Sequence, residues 1–193
     1  DTRMNANRAQ AMASIKDSDT VFYPAKGTEK ARINVFTDID CGYCQKLHQE
    51  VPKLTVMGIA VRYLAYPRSG IKDEGGQDFT ESYRKLNYVW CQKDREKAMT
   101  DMKTQQQMIS MMYGQARSKT GSEQIASIER MQAVQNDMNK KVDSDQCDSP
   151  VANQFLLGST LGVSGTPALI TEEGELIPGY LPAAELAKRL GVM

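Results

Sequence analysis

The chain has 193 residues, 40% hydrophobic and 25% charged, which suits one packed domain with an elaboration and excludes a disordered or collagen-like polymer. Its 24 Lys and Arg balance 24 Asp and Glu, so no net field draws it to a phosphate backbone or an anionic lipid surface, and nucleic acid is not expected as a partner. No apolar run approaches the roughly 20 residues that a membrane-spanning helix needs.

Residues 3–16 are rich in Ala and other helix formers and read as a helix. Residues 31–37 (Ala-Arg-Ile-Asn-Val-Phe-Thr) are β-branched and aromatic, and read as a strand that ends in the turn Asp38-Ile39-Asp40. The motif Cys41-Gly42-Tyr43-Cys44 then opens a stretch with Leu47, Val51 and Leu54 at helical spacing, expected to kink at Pro52 and to end at Gly58. A second strand is expected over 59–66, before Pro67. Residues 88–93, around Cys91, read as helix. Two further helices are predicted within 98–142, one through Met108, Ile109, Met111 and Met112, the other through Ile125, Ile128, Met131, Val134 and Met138, with a turn between Gly114 and Gly121. Residues 168–177 suggest a hairpin and residues 182–190 a closing helix.

Four cysteines, at 41, 44, 91 and 147, carry the chemistry. A zinc ribbon requires two tight pairs, and only one is present, so no metal site is expected. Free buried thiols and a purely structural staple are the plainer readings. The strand–helix–strand context favours a reactive pair: a thiolate at a helix N-terminus faces free N–H groups and the positive end of the macrodipole, so its pKa falls below about 8.5. Cys41, at the expected exposed end, is the candidate nucleophile, and Cys44, one turn inward, is placed to resolve a mixed disulfide. Gly42 and Tyr43 between them set the local geometry and redox poise. The one histidine, His48, lies about two turns further along the helix, roughly 10 Å away, too far to serve Cys41 as a base. It reads as a packing or hydrogen-bonding residue, and Asp38 and Asp40 read as a solvated acidic turn.

Residues 33–48, 61–68 (Val-Arg-Tyr-Leu-Ala-Tyr-Pro-Arg) and 161–168 (Leu-Gly-Val-Ser-Gly-Thr-Pro-Ala) together resemble the catalytic domain of DsbC-type periplasmic protein disulfide isomerases. The resemblance covers roughly residues 30–95 and 147–193. It implies an α/β, thioredoxin-like fold with an enlarged helical insertion at about 77–160, no cofactor, catalytic Cys41 and Cys44, and a cis bond between Thr166 and Pro167. Thr166 and Pro167 are the implied substrate-binding residues, through backbone pairing with an extended client. Thr166 and the Gly42-Tyr43 dipeptide favour an isomerase over DsbA-type oxidases, and Val35, where thioredoxin has an acid, argues against cytosolic-type reductase tuning. The resemblance also implies a non-catalytic disulfide between Cys91 and Cys147, which a loop-entropy estimate values at about 4 kcal/mol. Such a bond suits an oxidising compartment, here the periplasm.

Residues 1–25 are then expected as a linker helix and 26–193 as the catalytic domain, with the family's N-terminal dimerisation domain expected to be absent. This chain alone is expected to be monomeric, with a homodimer where an upstream dimerisation domain exists. The expected partners are misoxidised secreted proteins and a membrane thiol reductase of the DsbD type. The expected activity is isomerisation or reduction of incorrect disulfides. A non-catalytic client-binding chaperone or a soft-metal binder on the same scaffold is the alternative, because seven of the eleven methionines fall in the insert. A simple core role for those methionines is the plainer reading.

Overall fold

The computed structural model describes residues 1–193. Helix α1 (Thr2–Ser14) is capped by Asp1, whose carboxylate accepts from the Arg3 N–H at 3.1 Å. Strands β1 (Val21–Tyr23) and β2 (Ala31–Thr37) follow, then helices α2 (Gly42–His48) and α3 (Val51–Val56), and strand β3 (Ile59–Ala65). Four helices come next: α4 (Glu81–Cys91), α5 (Arg95–Arg117), α6 (Gly121–Asp143) and α7 (Val151–Thr160). Strands β4 (Ala168–Ile170) and β5 (Leu176–Pro178) and helix α8 (Ala183–Arg189) complete the chain.

The five strands lie in the order β1-β3-β2-β4-β5. Only β2 and β3 are parallel, with Val35 opposite Tyr63 and Thr37 opposite Ala65. Parallel neighbours require a crossover, and α2 with α3 supplies it, which leaves the cysteine pair at the C-terminal end of β2. Side chains alternate across the sheet. Ile33, Val35, Val61 and Tyr63 pack with Leu47, Val51 and Leu54 of the crossover and with Leu86, Trp90, Met99 and Met102 of the insert. Phe36, Leu64 and Tyr66 join a smaller cluster on the opposite face with Met12, Leu161, Val163 and Ile170.

Three differences from the sequence reading have physical causes. The helix expected to bend at Pro52 breaks earlier, between His48 and Val51, and Pro52 sits in the first turn of α3. Proline clashes with the carbonyl four residues before it and lacks an N–H, so a first turn holds it without loss. Residues 1–25, expected as a linker helix, hold both α1 and the edge strand β1, which pairs antiparallel with β3. The boundary expected at residue 25 therefore falls beyond a strand of the sheet, because three residues without alternation carry no strand signal of their own. Buried Arg62 ties this segment down, donating to the carbonyls of Met12 and Ile15 at 2.7 Å and to Asn34 Oδ1 at 2.8 Å.

Third, the insert's methionines divide. Met99, Met102, Met131 and Met138 are core, whereas Met108 and Met111 are 45% and 60% exposed. The two expected helices are present as α5 and α6, and a disulfide between Cys91 and Cys147, with Cα atoms 5.7 Å apart, closes the insert at its base.

Gly174, at φ +87°, lies where an added Cβ would stand 1.8 Å from the Asn5 carbonyl oxygen. Gly174→Ala is expected to lift α1 from the sheet and to destabilise the fold by about 1–3 kcal/mol. Thermal unfolding and tryptic cleavage at Arg3 and Arg8 measure the two effects; unchanged values would show that α1 docks elsewhere.

Candidate active site

Strand β2 ends at Thr37, and the turn after it is fixed from below. The Asp38 carboxylate, 1% exposed, accepts from the Arg68 N–H at 3.1 Å, from Arg68 Nε at 3.0 Å and from the Ser82 hydroxyl at 2.8 Å. Asp40 accepts from Lys85 Nζ at 2.7 Å, and burial still holds its carboxyl above the usual range against that cation. The expected solvated acidic turn is thus corrected for Asp38, whereas Asp40 keeps its exposure to solvent while bonded to Lys85. Both carboxylates are structural anchors, because α4 of the insert brings Ser82 and Lys85 against them.

Cys41 follows as the N-cap of α2, and its sulfur accepts from the Cys44 N–H at 3.1 Å. The two cysteines form a disulfide, with Cα atoms 5.1 Å apart. A loop from the far end of the chain closes over them, so that Cys41 Sγ lies 3.3 Å from the Thr166 carbonyl oxygen. The Thr166–Pro167 peptide bond is cis. The expectation of an exposed Cys41 is also corrected: in this oxidised form it is 2% exposed and Cys44 1%, because that loop covers the sulfur, whereas Gly42 is open and Tyr43 is 64% exposed. Thr166 keeps unused hydrogen-bonding capacity. Its Oγ1 is buried without a partner, and its N–H makes no backbone hydrogen bond. The fold thus brings Cys41, Cys44 and Thr166 together and leaves Cys91–Cys147 in the insert.

His48, at the last turn of α2, bonds through Nδ1 to the Tyr63 hydroxyl at 2.8 Å and through Nε2 to Thr100 Oγ1 of α5 at 2.9 Å. Burial, with Lys103 adding to it, pushes its pKa down to about 3, so the ring is neutral. Sequence reasoning missed Lys103. It is 2% exposed, donates to Thr37 Oγ1 at 2.7 Å and lies 5.1 Å from the centre of the Tyr63 ring. Burial pulls its pKa down to about 7 against the opposing pull of Asp38. The available signal was a lysine beside the buried stripe Met99, Met102 and Ile109 of α5.

The His48 shift has a sign. Its folded pKa lies below the ordinary value of about 6.5, so the unfolded chain binds the proton more readily between these values. Stability therefore falls as the pH drops from about 6.5 toward 3, by at most about 1.4 kcal/mol per pH unit from this group. His48→Gln is expected to flatten that part of the profile, measured by urea unfolding across the acid range. An unchanged slope would mean that the imidazole is already protonated in the fold.

The family model described as "Thioredoxin-like domain" matches residues 19–193. The chain is 34% identical over 174 residues to the thiol:disulfide interchange protein DsbC of Escherichia coli K12, covering 90% of this chain and 56% of that protein. The DsbC of Haemophilus influenzae is 31% identical over 177 residues, covering 92% and 58%. This chain thus spans just over half the length of these relatives. A crystal structure of a disulfide interchange protein from Neisseria gonorrhoeae superposes with a TM-score of 0.60 at 25% identity, over 92% of this chain and 96% of that one. A Proteus mirabilis ScsC in a transitional conformation shares the fold, with a TM-score of 0.57 at 17% identity, over 97% and 82%. With strands, crossover and cysteine pair arranged as described, this chain belongs to the thioredoxin-like domain family and has the DsbC proteins among its homologues.

Proposed function

We propose that this chain is a protein disulfide isomerase and reductase of the DsbC type, acting on incorrect disulfides of secreted proteins through Cys41 and Cys44. The observation that carries the reading is the Cys44 N–H aimed at Cys41 Sγ at 3.1 Å. A donor already oriented there stabilises the thiolate without reorganisation and makes Cys41 the nucleophile of the pair.

The cycle balances without a cofactor. The Cys41 thiolate attacks one sulfur of a client disulfide; a Cys41–client bond forms, the client S–S bond breaks, and the departing client thiolate takes up a proton. If a client thiol attacks the mixed disulfide, a new client disulfide forms and Cys41 is released, with no net oxidation. If Cys44 attacks, two electrons pass to the client and the Cys41–Cys44 disulfide results. Gly42 and Tyr43 tune the pair. Regenerating the dithiol in an oxidising compartment requires an external reductant, for which a membrane thiol reductase of the DsbD type is the fitting partner. The periplasm is the fitting location, with Cys91–Cys147 as a structural disulfide.

Thr166 and Pro167 are the proposed client-binding residues. The free Thr166 N–H and hydroxyl beside the sulfur suit an extended client backbone, which this mode recognises largely without regard to sequence.

Exposure of Met108, Met111, Tyr113 and Ile125 on the insert favours a second reading, non-catalytic client holding. Refolding of a scrambled-disulfide protein separates the two. Cys41→Ser is expected to abolish reactivation, and Cys44→Ser to accumulate mixed disulfides visible on non-reducing gels. Full reactivation by Cys41→Ser would remove the assigned nucleophile, and suppression of client aggregation by the doubly substituted chain would support holding.

A further inference from the structure

Helix α5 packs beside α2, and three of its side chains, one per turn, bond to residues of α2, β2 and α4 around the cysteine turn. Thr100 bonds to His48 at the C-terminal end of α2, and Gln106 accepts at 2.8 Å from Lys85 Nζ, which in turn holds Asp40 just before Cys41. Residues three apart on a helix share a face, and Thr100 to Gln106 spans about 9 Å. Lys103 stands between them, and its ammonium reaches Thr37, at the end of the strand that leads into the cysteine turn.

The surroundings leave this ammonium without a counter-ion. Its single hydrogen bond is to the neutral Thr37 hydroxyl, and its other close neighbour is the Tyr63 ring of β3. Asp38 attracts it from a distance but is engaged by Arg68 and Ser82 and forms no ion pair with it. Lys85 of α4 is taken up by Asp40 and Glu81. His48 of α2 is neutral, and Tyr63, buried, stays un-ionised. Val35, opposite Tyr63 at the centre of the parallel pair, supplies no charge. A buried cation without a partner is costly, and an apolar side chain of similar volume is ordinarily the more stable choice. In the disulfide form the anion is missing. Opening of Cys41–Cys44 creates one.

We propose that Lys103, donated by the helical insert, is a positioning residue of the redox centre: the positive counter-charge that stabilises the thiolate formed when the Cys41–Cys44 disulfide is reduced. The assignment rests on the thiol–disulfide chemistry proposed above. The Lys103 ammonium sits on Thr37, at the strand end that leads into the cysteine turn, and burial has brought it close to losing its proton at neutral pH; a thiolate forming at that turn favours keeping it, so the two charges support each other reciprocally. A cation that favours the thiolate favours the reduced pair, which makes the disulfide more oxidising and releases Cys41 more readily from a mixed disulfide.

The test compares the intact chain with Lys103→Met and Lys103→Arg. Equilibration with glutathione buffers reports the Cys41–Cys44 potential, and ultraviolet thiolate absorbance reports ionisation of the reduced pair. Lys103→Met is expected to shift the equilibrium about tenfold toward the disulfide, equivalent to about 30 mV, and to raise the lowest thiol pKa by about one unit. Lys103→Arg, which keeps a permanent charge, is expected to stay within about threefold of wild type. A folded Lys103→Met with wild-type potential and thiol titration would overturn the assignment. Should that variant fail to fold, Lys103→Gln is read by the same two measurements, with the same outcomes. A wild-type chain that neither equilibrates with glutathione nor reactivates scrambled protein would overturn the proposed activity itself, and this assignment with it; an active wild type with unresponsive Lys103 variants overturns the assignment alone.

Discussion

The structure depends on holding one sulfur at the mouth of a short helix, with a backbone N–H fixed upon it. A thiol in water is mostly protonated at neutral pH, and an N–H that must reorient gains little when charge appears. Here Cys41 is itself the N-cap of α2, so its sulfur meets the Cys44 N–H through helix geometry alone. The arrangement persists only if the turn before it cannot move. Asp38 is clamped by Arg68 and Ser82, and Asp40 by Lys85, so residues from two separate stretches of chain fix two of the three positions ahead of the motif. The two carboxylates, one buried and one exposed, serve this positioning, which explains why acidic residues stand so close to the cysteine pair.

The insert is more than an elaboration on the far side of the sheet. Its helix α4 supplies Ser82 and Lys85, and its helix α5 supplies Thr100, Lys103 and Gln106, so residues that lie between β3 and β4 bond to the end of β2, to the turn before Cys41 and to the end of α2. The apolar counterpart is the layer of Met99, Met102, Leu86 and Trp90, which packs on the same sheet face as Leu47 and Leu54. Core and insert share one continuous interior, and the Cys91–Cys147 disulfide ties the end of α4 to the segment that leads into α7. A shared interior of this kind couples the geometry of the cysteine turn to the packing of the added helices.

The opposite face has a different task. On this face Arg62 donates to the carbonyls of Met12 and Ile15, and Arg8 Nε donates to the Leu161 carbonyl, close to the loop that carries Thr166. The N-terminal helix thus rests on the segment that covers Cys41. That loop joins α7 to β4, so the helix, the loop and the smaller apolar cluster form one unit behind the site.

By itself the sequence determined the elements whose signals are local. Strand 31–37 follows from its β-branched and aromatic run, the helix after Cys41 from the spacing of Leu47, Val51 and Leu54, and the helical hairpin from apolar residues every three or four positions. Cys41 and Cys44 were legible because their spacing and their strand–helix context are contiguous in the chain. Tertiary structure decided whatever depends on partners distant in sequence. Asp38 resembles a solvated residue until Arg68 and Ser82 arrive, Cys41 looks open until the Thr166 loop covers it, and β1 has no pattern until β3 pairs with it. Lys103 is the sharpest case, since a lysine in a helix is ordinarily solvated, and only the packing of α5 against β2, β3 and α2 removes its water. Periodicity records which face of an element is apolar, whereas the electrostatic fate of a side chain is set by neighbours that the order of the chain does not reveal.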